Sequence, residues 1–176
     1  MFIKSALIEQ IRDAVAHDPF WEPYINDLVM KWPPLVAVHL GIFVEPYLQY
    51  ILHGQKTVES RFSVHRHPPY GAVKEGDVLL LKEVGGPVVG ISQVGTVWEY
   101  ELDPDSISEL RSEFAAALCA QNPAFWEDRA AASFATLMRL ERVRSIQRIT
   151  VEKRDRRGWV VLRSRSRQLL LWEDYE

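Results

Sequence analysis

The chain has 176 residues, 47% of them apolar and 26% charged, with a formal net charge of −3. This balance excludes a disordered chain, and no apolar run approaches the roughly 20 residues that a membrane-spanning helix needs. Cys119 is the single cysteine, which excludes an internal disulfide and a zinc site built on clustered cysteines.

The N-terminal segment predicts helices. Residues 4–16 place Leu7, Ile8, Ile11 and Val15 at helical spacing, and Asp18-Pro19 ends the pattern. Glu9, Arg12 and Asp13 interrupt the apolar stretch that a secretion signal requires, so a cytoplasmic protein is expected. A second stripe, Trp21, Tyr24, Ile25, Leu28, Val29 and Trp32, stops at Pro33-Pro34. Residues 1–34 thus read as a helical extension to a domain over 35–176. Its aromatic stripe either packs on that domain or forms a surface for a second copy or a protein partner.

Residues 35–44 are short, apolar and β-branched, as a buried strand is, with His39 as a hydrogen-bonded core residue. Glu45-Pro46 opens a short helix carrying Tyr47, Leu48, Ile51 and Leu52, and Gly54 ends it. Lys56 follows at the turn. In the extended segment beyond, Thr57, Glu59 and Arg61 share one face while Val58, Ser60 and Phe62 share the other. The residues alone leave two readings open: a Glu59–Arg61 ion pair on a solvated face, or an acid and two bases gathered in a cleft.

A loop over 62–75 holds His65-Arg66-His67-Pro68-Pro69-Tyr70, a set able to grip a phosphate or stack on a base. His65 and His67 lack further ligands at suitable spacing, so no metal site is expected. Strands are predicted over Val78–Leu81 and Val88–Leu102, separated by a Gly85-Gly86-Pro87 turn, with Gly90 and Gly95 at bends or bulges. A helix over 103–120 capped by Asp103 or Asp105, a short helical turn over 124–130 and a strand over 134–149 follow. Thr150–Lys153 and Trp159–Arg163 are expected to form a hairpin around Asp155-Arg156-Arg157-Gly158. About five to seven mostly antiparallel strands with inserted helices predict an α+β domain built on a small, partly open β-barrel.

Charge is unevenly spread along the chain. Residues 139–167 carry eleven Arg and Lys against three acids, including Arg163, Arg165 and Arg167 in alternation with serines. Such a segment either attracts a polyanion or forms a solvated face paired with the acidic remainder.

The order of elements resembles the ASCH domain, a branch of the PUA-like superfamily, from about Val36 to Leu102 and more weakly to Arg163. Gly54, Lys56, Glu59 and Arg61 match the fixed positions of its Gly-x-Lys-x-x-Glu-x-Arg signature. The resemblance implies a β-barrel whose signature residues line a cleft, and a function in handling RNA or modified nucleobases. Some small members deacylate N4-acylated cytosine nucleosides with a Lys, a Thr hydroxyl and an acid. Lys56 falls on the Lys position, but Glu59 stands where the hydroxyl is expected, and Gln121-Asn122 occupies the region of the acid.

The leading expectation is therefore binding of single-stranded RNA or a modified nucleoside, without a cofactor. Lys56, Glu59 and Arg61 form the cleft, Arg66 and Tyr70 come from the loop, and Trp159 or Trp98 stacks on a base. Arg163 and Arg165, with Arg154, Arg156, Arg157 and Arg167, track the backbone. The alternatives are a metal-independent amidohydrolase or weak ribonuclease using Lys56 and Glu59, and an adaptor acting through the N-terminal helices.

Overall fold

A computed structural model describes residues 2–151 and 157–166. Its strand Val78–Glu83 is apolar on both faces because both faces are covered. Leu79 and Leu81 pack with Phe43, Leu48, Ile51 and Trp159, whereas Val78 and Leu80 pack with Ile8, Ile11, Trp21, Ile25 and Val29. Strand alternation sends neighbouring side chains to opposite faces, so an unbroken apolar run marks a strand sandwiched between layers.

The elements in chain order are α1 (Phe2–Ala14), α2 (Trp21–Tyr24) continuing into a π turn (Ile25–Val29), β1 (Val38–Phe43), α3 (Tyr47–Leu52), β2 (Val58–Ser63), β3 (Val78–Glu83), β4 (Val88–Glu101), α4 (Pro104–Phe114), α5 (Pro123–Glu127), β5 (Phe134–Ile149) and β6 (Trp159–Arg163). The strands form one six-stranded sheet in the order β2-β5-β4-β3-β1-β6. Only β1 and β3 run parallel; every other neighbouring pair is antiparallel. The sheet curls into a half-barrel with helices packed on it, the α+β architecture expected from the element order. The ladder of β4 with β5 breaks register between Val88 and Gly90, between Ile91 and Gln93 and between Val94 and Val97. At Gly90 a Cβ would lie 2.9 Å from a Leu52 methyl, 3.1 Å from a Leu81 methyl and 3.2 Å from the Arg144 carbonyl, so a side chain at the bend would have to displace its neighbours.

Two local outcomes differ from the sequence expectation. β6 pairs antiparallel with β1, not with the segment before it: Thr150 and Val151 lie outside any strand, and 152–156 fall outside the described residues. β1 is buried nearly throughout, and without β6 its edge would leave buried amides and carbonyls unpaired. The helix expected over 103–120 ends at Phe114, and Cys119 takes a positive φ of 54°. Turn residue Ala117 instead offers its carbonyl to the amides of Thr57 and Val58 at 3.0 and 3.2 Å. Asp103 does cap α4, accepting from the Ser106 amide at 2.7 Å.

The N-terminal helices are built into the core. Trp21 is buried and its indole donates to the Arg142 carbonyl at 3.1 Å. The Tyr24 hydroxyl donates to the Gly76 carbonyl and accepts from Gln93 at 3.0 Å. Of the three aromatic residues considered for a partner surface, only Trp32 stands out in solvent, at 86% exposure. Among the described residues no helix is long and apolar enough to cross a membrane.

Asp18 starts the second helix by accepting from the Phe20 and Trp21 amides at 3.0 and 2.9 Å. The Trp21 hydrogen bond chiefly holds its carboxyl below the ordinary 3.8, while desolvation opposes the shift. A depressed folded pKa adds stability above the unfolded value and loses it as pH falls through the folded one. Asp18→Asn should therefore lose less stability than wild type on acidification below about pH 3.8, followed by urea unfolding at stepped pH. Trp21→Ala should lower the unfolding free energy by about 3 kcal/mol at neutral pH, as emptying a large core site does.

Candidate functional site

The two outer strands, β2 and β6, face each other across the open side of the half-barrel. The seam between them is where the charged octet lies. Gly54, at φ 75°, ends α3 and turns the chain, and the Gln55 and Lys56 amides both donate to the Tyr50 carbonyl, at 2.8 and 3.0 Å. β2 then pairs with β5 so that Glu59, Arg61 and Ser63 stand opposite Met138, Thr136 and Phe134. Val58 and Phe62 turn the other way, into the cluster formed with α4 and α5. The alternation read from sequence holds, but the charged face points inward rather than into solvent.

Glu59 is 5% exposed and joins both cations: Oε2 lies 3.2 Å from Lys56 Nζ and Oε1 lies 2.8 Å from Arg61 Nε. The Arg61 Nε–H is poorly aligned with that oxygen, so the contact is an ion pair without a hydrogen bond. Lys56 is 4% exposed, and its ammonium also donates to the Val58 carbonyl at 2.7 Å and the Leu118 carbonyl at 3.4 Å. An ammonium has three N–H groups, and these contacts engage all of them. Lys56 therefore fastens the α3–β2 turn to the segment after α4.

Arg61 reaches across the seam. Nη1 donates to the Gly158 carbonyl at 3.1 Å and Nη2 to the Ile42 carbonyl at 3.0 Å, with the guanidinium 4.9 Å from the Phe43 ring centre and 5.3 Å from that of Trp159. A guanidinium carries five N–H donors, so each terminal nitrogen retains one beyond these bonds. The side chain divides the seam into two cavities. One, of about 480 Å³, is lined by Tyr47, Lys56, Glu59, Arg61, Phe125 and Arg129. The other, of about 720 Å³, is lined by Arg61, His67, Tyr70, Thr136, Arg157 and Trp159, among others.

Trp159 is held from behind by a buried chain. Its indole N–H donates to His39 Nδ1 at 3.2 Å, and His39 Nε2 meets Asp77 Oδ2 at 3.0 Å. Because Nδ1 accepts, the proton sits on Nε2 and is donated to Asp77. Asp77 also accepts from the Ala37 and Lys74 amides at 2.7 and 2.8 Å and from Arg165. The loop rim is tied down as well: Glu99 accepts from the Gly71 amide, Arg66 pairs with Glu101, and the Tyr70 ring packs 5.1 Å from Phe134.

The structure thus brings Lys56, Glu59, Arg61, Tyr70 and Trp159 to one seam, with Arg66 on its rim. Arg165 is separate, turned inward onto Asp77, so it does not line up with Arg163 on one face. Arg163 is half-buried opposite Val38 at the end of β6. Trp98 lies on the opposite face, 5.1 Å from Phe114 of α4. Lys153, Arg154, Arg156 and Arg167 lie outside the described residues. Sequence reasoning missed Arg129 and Tyr47. Arg129 donates to the Phe125 carbonyl at 2.6 Å and lies 3.6 Å over that residue's ring, and burial lowers its pKa. An Arg six residues after a Pro-initiated helical turn carries no spacing signal; Tyr47 reads from sequence only as part of an apolar helical face.

No protein-family model matches the chain, and no curated protein matches it. Among solved structures it is similar to ASCH from Zymomonas mobilis, with 16% identity, a TM-score of 0.57, 77% of this chain and 94% of that one covered. Two point-mutant structures of the same protein match at the same identity and TM-score, covering 96% and 95% of those chains. The chain has the ASCH-domain fold, as the octet and element order led one to expect.

Removing one member of a buried ion-pair chain leaves its partners uncompensated. Glu59→Gln should lower the unfolding free energy by about 3 kcal/mol in urea titration. A loss below about 0.5 kcal/mol would place the pair in the solvated class instead.

Proposed function

We propose that the seam binds an unpaired base of single-stranded RNA or a modified nucleoside. The observation that carries this reading is the convergence of Arg61, Tyr70 and Trp159 on one cavity of about 720 Å³. That volume is in the range of small-molecule sites, and aromatic walls beside a guanidinium suit a flat, polar ring. Arg157 and His67 stand at the same cavity and supply basic character where a sugar-phosphate would run. Lys56 and Glu59 act by holding Arg61 and the α3–β2 turn in place. The amidohydrolase alternative draws less support, because an ammonium whose three N–H groups are all engaged is poorly placed to exchange a proton with a substrate.

Fluorescence anisotropy with a labelled single-stranded oligoribonucleotide tests the reading. Binding should weaken steeply between about 50 and 200 mM salt, and Tyr70→Ala should reduce affinity roughly tenfold or more. Binding that is absent, or indifferent to salt and to Tyr70, would sink it.

A further inference from the structure

Thr136 is the other polar group at the seam that the fold leaves unsatisfied. It sits on β5 between Arg61 of β2 and Glu99 of β4, so both strand neighbours occupy its backbone. Its side chain shares the inward face with Arg61 and lines the larger cavity. Thr136 is 1% exposed, yet its Oγ1 makes no hydrogen bond among the described residues. A hydroxyl buried without a partner is destabilising, and valine would fill nearly the same volume without that cost. Most buried hydroxyls in folded chains find a partner; this one has none among the described residues and belongs to a residue that lines a cavity with aromatic walls.

We propose that Thr136 is a specificity-determining contact: its hydroxyl bonds the polar edge of a nucleobase that enters the larger cavity beside Tyr70 and Trp159. The inference rests on the seam reading above and assigns the group that reads the base. A hydroxyl both donates and accepts, so it can meet a ring nitrogen, a carbonyl or an exocyclic amine. A base edge satisfies it, whereas an apolar ring of the same size leaves it unpaired. The discrimination follows from that penalty, as in sites built to hydrogen-bond their ligand.

The test compares wild type, Thr136→Val and Thr136→Ser against the four ribonucleoside monophosphates and the labelled oligoribonucleotide. Thr136→Val should bind the preferred mononucleotide roughly tenfold more weakly, while its thermal midpoint is equal to or above that of wild type. Thr136→Ser, which restores the hydroxyl, should return affinity to within about threefold. If Thr136→Val binds as wild type does while Tyr70→Ala loses affinity, the assignment of Thr136 is overturned and the seam reading stands. If wild type binds none of the probes, both fall. If Thr136→Val melts well below wild type and Thr136→Ser does not rescue binding, the hydroxyl is structural and the proposal is overturned.

Discussion

One side chain bridges the two edge strands of the half-barrel across its open side. Arg61 leaves β2, passes between the rings of Phe43 and Trp159, and ends on backbone carbonyls of Ile42 and Gly158. No ladder joins β2 to β6. A guanidinium suits this bridging role because it is planar, permanently charged and able to donate in several directions at once. Its charge would be costly so far inside without Glu59, and Glu59 in turn would be costly without Lys56. The signature residues are thus one connected object, in which each charge makes the next tolerable.

Within this object Lys56 and Glu59 are enclosed, while Arg61 lines both cavities of the seam. Glu59 and Lys56 are too enclosed to be the main contact with a ligand, whereas Arg61 retains donors toward both cavities. Trp159 occupies its place because His39, oriented by Asp77, accepts a hydrogen bond from its indole N–H. Asp77 is neutralised by Arg165, which lies two residues past the end of β6 and six past Trp159 itself. Binding groups on loops are set by a rigid frame beneath them, and here the frame extends to the hydrogen bonds behind the aromatic wall.

The sequence made much of this legible, for reasons that can be named. The apolar run of β3, the Asp103 cap and the turn at Gly54 are local signals, and each appears where expected. The faces of β2 were readable because strand alternation is strict, but whether that face met water depended on what lay across the seam. That partner is Gly158, 97 residues away. Arg165 read as one of a basic row because alternation describes strands, and Arg165 lies past the end of β6, where a buried carboxylate outweighs the pattern. Pairing of β6 with β1 was hidden for a similar reason: hairpin chemistry is local, while the need of a buried edge strand for a neighbour is not.

The bonds that close the cavity have a kinetic aspect. Arg61 to Gly158 and Trp159 to His39 span 97 and 120 residues, against the short β3–β4 connection at Gly85-Gly86-Pro87. Contacts of such separation carry the largest loop-closure entropy and form after local hairpins have made them worthwhile. Closing the cavity therefore costs the chain more entropy than pairing β3 with β4 does.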